Sequence, residues 1–285
     1  MQRRESGWVS CRTSVRASAL ACSIAAALLA TAASQGQQPP ATAAHEAAPK
    51  PAATPEEQAR QQALFEQDEK ILRDWPNLGR YQAANAALAP ASPGEHRVVF
   101  MGDSITQAWM NHGTGASETT PGFFPGKPYV DRGISGQTTP QMLLRFRQDV
   151  LDLKPSVVVI FAGTNDVAGN TGEITPEQTQ GNITSMAELA KANGIKVVLC
   201  SILPAYEFKW RPGREPAPKI VALNKWIKSY ATAQGYPYVD FHTAMADERG
   251  GLPEKLSKDG VHPTPAGYAI MNPLVEAGIA QALGK

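Results

Sequence analysis

From Arg97 onward the chain alternates between short apolar runs and longer segments whose apolar positions recur every three to four residues. The short runs are residues 97–101, 128–131, 157–161, 196–202 and 237–241. They are short and rich in β-branched and aromatic residues, and Val157 to Phe161 is continuously apolar, the pattern of strands buried on both faces. The longer segments, residues 138–151, 176–193, 217–234 and 265–283, carry helical spacing. Strands alternating with helices predict an α/β domain: a five-stranded parallel sheet in the order 2-1-3-4-5, with helices on both faces.

The first 95 residues follow a different pattern. Residues 1–33 combine Arg3, Arg4, Arg12 and Arg16 with an Ala/Leu-rich stretch from Ala17 to Ala30 and small residues around Ala32. This is the pattern of an export signal, and the apolar stretch is short for a membrane span. It predicts a periplasmic or secreted protein with no stable membrane insertion after cleavage. Residues 34–55 are rich in Ala, Pro and Gln and read as a disordered spacer. Thr54-Pro55-Glu56-Glu57 starts a helix that Trp75-Pro76 ends, and a second short helix follows over 78–88. Residues 56–95 are therefore a helical extension preceding a main domain over 96–285.

Four polar, glycine-containing segments fall at the boundaries of these elements. Gly102-Asp103-Ser104-Ile105 follows the first strand, Gly133-Ile134-Ser135-Gly136 the second and Gly163-Thr164-Asn165-Asp166 the third. Asp259-Gly260-Val261-His262 precedes the last helix. Loops at the carboxyl ends of parallel strands converge on one crevice. There Ser104 suits a nucleophile at a helix N-terminus, His262 a base and Asp259 the group that orients it. The Ser104 and Gly136 backbone N–H groups and the Asn165 side chain suit an oxyanion hole. Taken singly, each has a plainer reading: an N-cap Ser, a turn Gly, an Asx-turn Asn, a turn Asp beside a surface His. Asp166 reads as a solvated turn residue, with a brace for the Asn165 loop as the alternative. Asp240 and His242, on one face of a strand end, are a weaker competing pair.

The four segments, in this order over roughly residues 97–283, resemble the four blocks of the GDSL/SGNH hydrolase superfamily. Ile105 stands where the eponymous motif has Leu. The resemblance implies a three-layer flavodoxin-like fold and serine-dependent hydrolysis of esters without metal or other cofactor. It implies a Ser104-His262-Asp259 triad, with Ser104, Gly136 and Asn165 holding the oxyanion. The alternative is a non-catalytic module binding a glycan or lipid in the same crevice.

Aromatic residues in two further segments, Trp109 and Phe123 in one and Tyr206 and Trp210 in the other, are candidates for binding substrate. The expected partner is a small-molecule, glycan or lipid ester. Charge adds an exclusion. The chain has 27 basic and 26 acidic residues; without residues 1–33 these fall to 23 and 25, a net charge of −2, which offers no footprint for nucleic acid. Cys11 and Cys22 leave with the signal, so Cys200 has no partner for a disulfide, and no His/Cys spacing suggests zinc.

Overall fold

A computed structural model describes residues 54–112 and 124–285, all of which belong to one compact unit. The signal, most of the spacer and Phe123 lie outside the described residues.

Two helices precede the sheet. Helix α1 (Pro55–Arg73) starts on a reciprocal cap: the Glu57 N–H donates to Thr54 Oγ1 and the Thr54 N–H to Glu57 Oε2. A 3-10 turn (Leu78–Tyr81) and helix α2 (Gln82–Ala87) follow.

The sheet comprises β1 (Val98–Gly102), β2 (Tyr129–Gly133), β3 (Val157–Phe161), β4 (Lys196–Cys200) and β5 (Tyr238–Val239). All pair in parallel, in the expected order 2-1-3-4-5. The connections contain α3 (Ser104–His112), α4 (Thr139–Asp149), α5 (Thr164–Ala168), α6 (Pro176–Ala192), α7 (Pro216–Gln234) and α8 (Phe241–Met245); α9 (Pro265–Leu283) ends the chain.

Strand alternation divides the core into two layers. Val99, Met101, Val158, Ile160, Val197 and Leu199 point to one face, against Met142 and Phe146 of α4, Met186 of α6 and Ile227 of α7. Phe100, Val157, Val159, Phe161 and Val198 point to the other, against Trp109 of α3, Phe241 of α8 and Tyr268 and Met271 of α9. Helices cover both faces, so β1, β3 and β4 beyond Lys196 are apolar at successive positions and these runs read as continuous.

The last strand is shorter than the expected 237–241. Asp240 turns the chain out of the sheet and accepts the Thr243 N–H, capping α8. No hydrogen bond joins Asp240 to His242: Asp240 caps α8, and His242 Nε2 has no hydrogen-bond partner among the described residues.

At the end of β1 the strand and α3 approach closely. A Cβ on Gly102 would lie 2.0 Å from Thr106 Oγ1 and 2.9 Å from Phe161 O, so only glycine fits. The chain can therefore turn directly from β1 into α3 and leave Ser104 at the helix N-terminus.

The extension is bonded to the rim of the sheet. β2 is an edge strand, paired only with β1. Beside it the Tyr81 hydroxyl donates to Gly133 O, and the Arg132 guanidinium stacks 4.7 Å from the Tyr81 ring centre while donating to Asn85 Oδ1 at 2.8 Å. The carboxamides of Gln137 and Gln141 each donate at 2.7 Å to the backbone of the extension, at Pro76 O and Trp75 O.

Candidate active site

Ser104 stands at the first position of α3 and His262 in the loop before α9. Their side chains meet, with Ser104 Oγ 2.9 Å from His262 Nε2. On the other side of the ring, His262 Nδ1 lies 2.6 Å from Asp259 Oδ2. An ionised carboxylate only accepts, so Nδ1 carries the proton and Nε2 of a neutral ring is free to accept from the serine hydroxyl.

The turn holds Asp259 in place for this contact. Its Oδ1 accepts the Val261 N–H at 2.9 Å, the His262 N–H at 2.8 Å and the Ser257 hydroxyl at 3.1 Å. Burial pushes the Asp259 carboxyl upward, but hydrogen bonds from the His262 ring and from the two amides outweigh it and hold the group at about 2. Asp259 is thus ionised throughout the neutral range. The pair is open to solvent, with His262 40% and Asp259 44% exposed.

Gly136 sits at the tip of the β2–α4 turn with φ 77°, and Asn165 in the first turn of α5. Gly163 before it takes φ 117°, a conformation that favours glycine, and bends the chain so that Asn165 turns inward. The Ser104 and Gly136 N–H groups donate to no described acceptor. Asn165 is buried and ties the loops together: its Nδ2 donates to Gln137 O at 3.0 Å and lies 3.3 Å from Asp103 Oδ2, and its Oδ1 accepts from Asn170 Nδ2 at 2.7 Å. The longer contact, to Asp103, is the weaker of its two donor bonds.

Asp103 is fully buried beside the nucleophile candidate. Its Oδ1 accepts the Ile105 N–H at 2.9 Å. Burial pushes its carboxyl up to about 6, against hydrogen bonding from Ile105 and the pull of His262.

The four pocket candidates have different fates. Trp210 borders the site, its ring centre 6.4 Å from that of His262 and its Nε1 donating to Asn170 Oδ1 at 3.0 Å. Tyr206 is exposed beside Arg249 and borders a shallow depression of about 290 Å³ with Ser257, Asp259 and Gly260. Trp109 is a correction: it is completely buried in α3, among Phe100, Phe124 and Tyr268, and its Nε1 donates to Asn272. A side chain enclosed this way by the core cannot touch substrate. Phe123 is outside the described residues. Asp166 is a second correction, buried rather than solvated: it accepts from the Thr139 N–H and from the Thr139 and Thr179 hydroxyls, bracing α4 and α6 against the Asn165 loop.

Sequence reasoning also missed three groups. Asn170 carries the Trp210–Asn170–Asn165 chain of bonds. Arg145, completely buried, donates to Gln137 Oε1 at 2.6 Å, Asp149 Oδ2 at 3.1 Å and Gly102 O at 3.0 Å. Trp75 of the extension borders a crevice of about 680 Å³ together with Gly136, Asn170 and Trp210.

Residues 100–270 match the GDSL-like Lipase/Acylhydrolase family. The chain belongs to this family. The solved structure of a GDSL-like lipase from Bacteroides thetaiotaomicron is 50% identical to this family member, covers 73% of it and 98% of its own length, and superposes with a TM-score of 0.68. Esterase TesA of Pseudomonas aeruginosa is 32% identical over 139 residues, 47% of this chain and 60% of TesA. The alpha2 subunit of platelet-activating factor acetylhydrolase IB from Rattus norvegicus is 28% identical over 186 residues, 64% of this chain and 76% of the subunit. Across curated relatives the chain spans between 33% and 80% of the relative's length. Among the described residues no helix is long and apolar enough to cross a membrane, and no cluster of three His, Cys, Asp or Glu could hold a metal ion.

Proposed function

We propose that this GDSL-like hydrolase is an exported serine esterase that cleaves short acyl esters, acetyl above all, with Ser104 as nucleophile. The observation that carries the reading is the linked set Ser104 Oγ, His262 and Asp259, at 2.9 and 2.6 Å. In the first step His262 Nε2 takes the hydroxyl proton as Ser104 Oγ attacks the ester carbonyl carbon. Asp259, ionised, stabilises the imidazolium. The negative charge that forms on the carbonyl oxygen is met by the unpartnered Ser104 and Gly136 N–H groups. Asn165 joins them by giving up its longer contact to Asp103. The C–O bond then breaks, and His262 returns the proton to the leaving alcohol. Water, deprotonated by the same ring, attacks the acyl-Ser104 ester and frees the acid.

The preference for short acyl groups rests on the shape of the site. A long chain needs an enclosed apolar tract, whereas the pair here is 40–44% exposed, and Asp259 borders a shallow depression lined mostly by polar groups. Export rests on the charged and apolar pattern of residues 1–33.

Hydrolysis of p-nitrophenyl acetate and octanoate by wild type and Ser104→Ala tests both parts. The expected result is a strong preference for acetate and a loss of more than about 10³-fold in the variant. Full activity in Ser104→Ala would refute the nucleophile. A preference for octanoate would refute the acyl length.

A further inference from the structure

Trp75 combines two properties seldom found together. Its backbone is firmly held: Gln141 donates to Trp75 O and Gln137 to Pro76 O, and both carboxamide-bearing side chains are buried. On the far side, Asp74 caps the 3-10 turn through the Leu78 and Gly79 N–H groups, at 2.7 and 3.0 Å. Yet its indole is 38% exposed, and its Nε1 has no hydrogen-bond partner among the described residues. An aromatic that served only to cover the core would be turned inward, as Trp109 is.

The indole borders the 680 Å³ crevice, whose inner end is the Gly136 turn and which Trp210 also borders. Trp210 in turn is fixed by its bond to Asn170 and packs on buried Phe208, ring centres 5.0 Å apart. Two indoles, one on a firmly held backbone and one fixed at its ring, therefore border one trench that also reaches the Gly136 turn. Polar groups lie between them: no hydrogen bond or ion pair joins the side chains of Asn77, Ser135 or Arg211 to another described residue. A fatty chain would leave these groups dry and unpaired, which is unfavourable. A sugar offers what this lining recognises, namely apolar C–H faces for indoles and hydroxyls for free donors and acceptors. Trp75 also lies outside residues 100–270, so the trench is built in part by a segment beyond the family match.

We propose that Trp75 is a specificity-determining residue that, with Trp210, binds the sugar of an O-acylated oligosaccharide while the acyl carbonyl faces Gly136. This rests on the esterase reading above. Trp75 touches only the alcohol half of the substrate, so it acts on binding of glycan esters and leaves small aryl esters unaffected.

The test compares wild type, Trp75→Ala and Trp75→Phe on acetylated xylotetraose, p-nitrophenyl acetate and p-nitrophenyl octanoate, with thermal unfolding of each protein alongside. The expected result for Trp75→Ala is a KM about 10-fold or more higher for acetylated xylotetraose with kcat near wild type. Its p-nitrophenyl acetate kinetics should stay within about twofold, and Trp75→Phe should restore most of the loss. Equal losses on all substrates would overturn the proposal by showing a structural role. A loss confined to octanoate would overturn it by making the trench an acyl subsite. Wild type that cleaves p-nitrophenyl acetate but not the acetylated sugar would also overturn it. If wild type cleaves nothing, the esterase reading has failed. The sugar trench is then judged by calorimetry with unmodified xylotetraose: binding lost in Trp75→Ala supports it, and no binding to wild type overturns it.

Discussion

Arg145 is the group whose replacement tests the architecture of the site most directly. Its guanidinium is completely enclosed and reaches three elements: Asp149 on its own helix, Gln137 of the β2–α4 turn, and Gly102 O, two residues before Ser104. Arg145→Met keeps an unbranched side chain as far as the position of Nε and removes every donor. Gly102 O keeps a second donor in the Ile134 N–H. Asp149 keeps the Asn85 amide on Oδ1 but loses the partner of Oδ2 while fully buried. Breaking a buried ion pair from one side costs about 3–5 kcal/mol, because the other charge is left in a low-dielectric interior. In a domain of this size each kcal/mol moves Tm by about 2–4 °C, so a fall of roughly 6–20 °C is expected. Urea unfolding at 25 °C measures the loss at constant temperature. Arg145→Met/Asp149→Leu removes both charges and should recover most of the loss, since the interaction is not additive. A loss under about 1 kcal/mol in the single variant, or a double variant no more stable than the single, would refute the reasoning. At temperatures where it stays folded, Arg145→Met should also lose about tenfold in kcat, because the turn bearing Gly136 and the strand end bearing Ser104 are no longer joined.

Two other expectations follow from buried polar groups. Burial raises Asp103 to about 6 and Asp131 to about 7, above the 3.8 of an unfolded aspartate. The native state therefore holds protons that the unfolded chain releases between about pH 4 and 7, and these two groups make the protein more stable as pH falls through that window. Asp103→Asn should flatten the dependence of Tm on pH between 5 and 7.5, and an unchanged slope would refute the assignment. Asn170→Ala should lower kcat on p-nitrophenyl acetate about tenfold with KM little changed, because Asn165 Oδ1 loses its donor and the carboxamide its fixed orientation; a change in KM alone would count against it.

The parallel sheet was readable because its strands are apolar on both faces, and the four chemical segments because each is local in sequence and lies beside such a strand or the last helix. What escaped notice depends on tertiary contacts. Trp109 stands out in the sequence as a candidate for binding substrate, although Ile105 and Trp109, four apart, already mark the inward stripe of a helix starting at Ser104. Asp240 and His242 were placed on one strand face by alternation, which the N-cap at Asp240 interrupts. Asp166 looked like any turn carboxylate until Thr139 and Thr179, far apart in sequence, came to meet it. Trp75 carried only the signal of a helix end before proline; its place beside Gly136 arises from two glutamines more than sixty residues away.

The packing of the 3-10 turn and α2 beside β2 has a consequence for handling the protein. A bare edge strand is a template on which another chain can add, and natural proteins shield or blunt such edges. Here Tyr81 and Asn85 guard that flank through Gly133 and Arg132. A version cut at residue 96, where the sheet begins, keeps all four chemical segments and loses the guard. Such a fragment would be recovered as self-associated, poorly soluble material, so a manageable form of this hydrolase begins before the 3-10 turn that carries Tyr81.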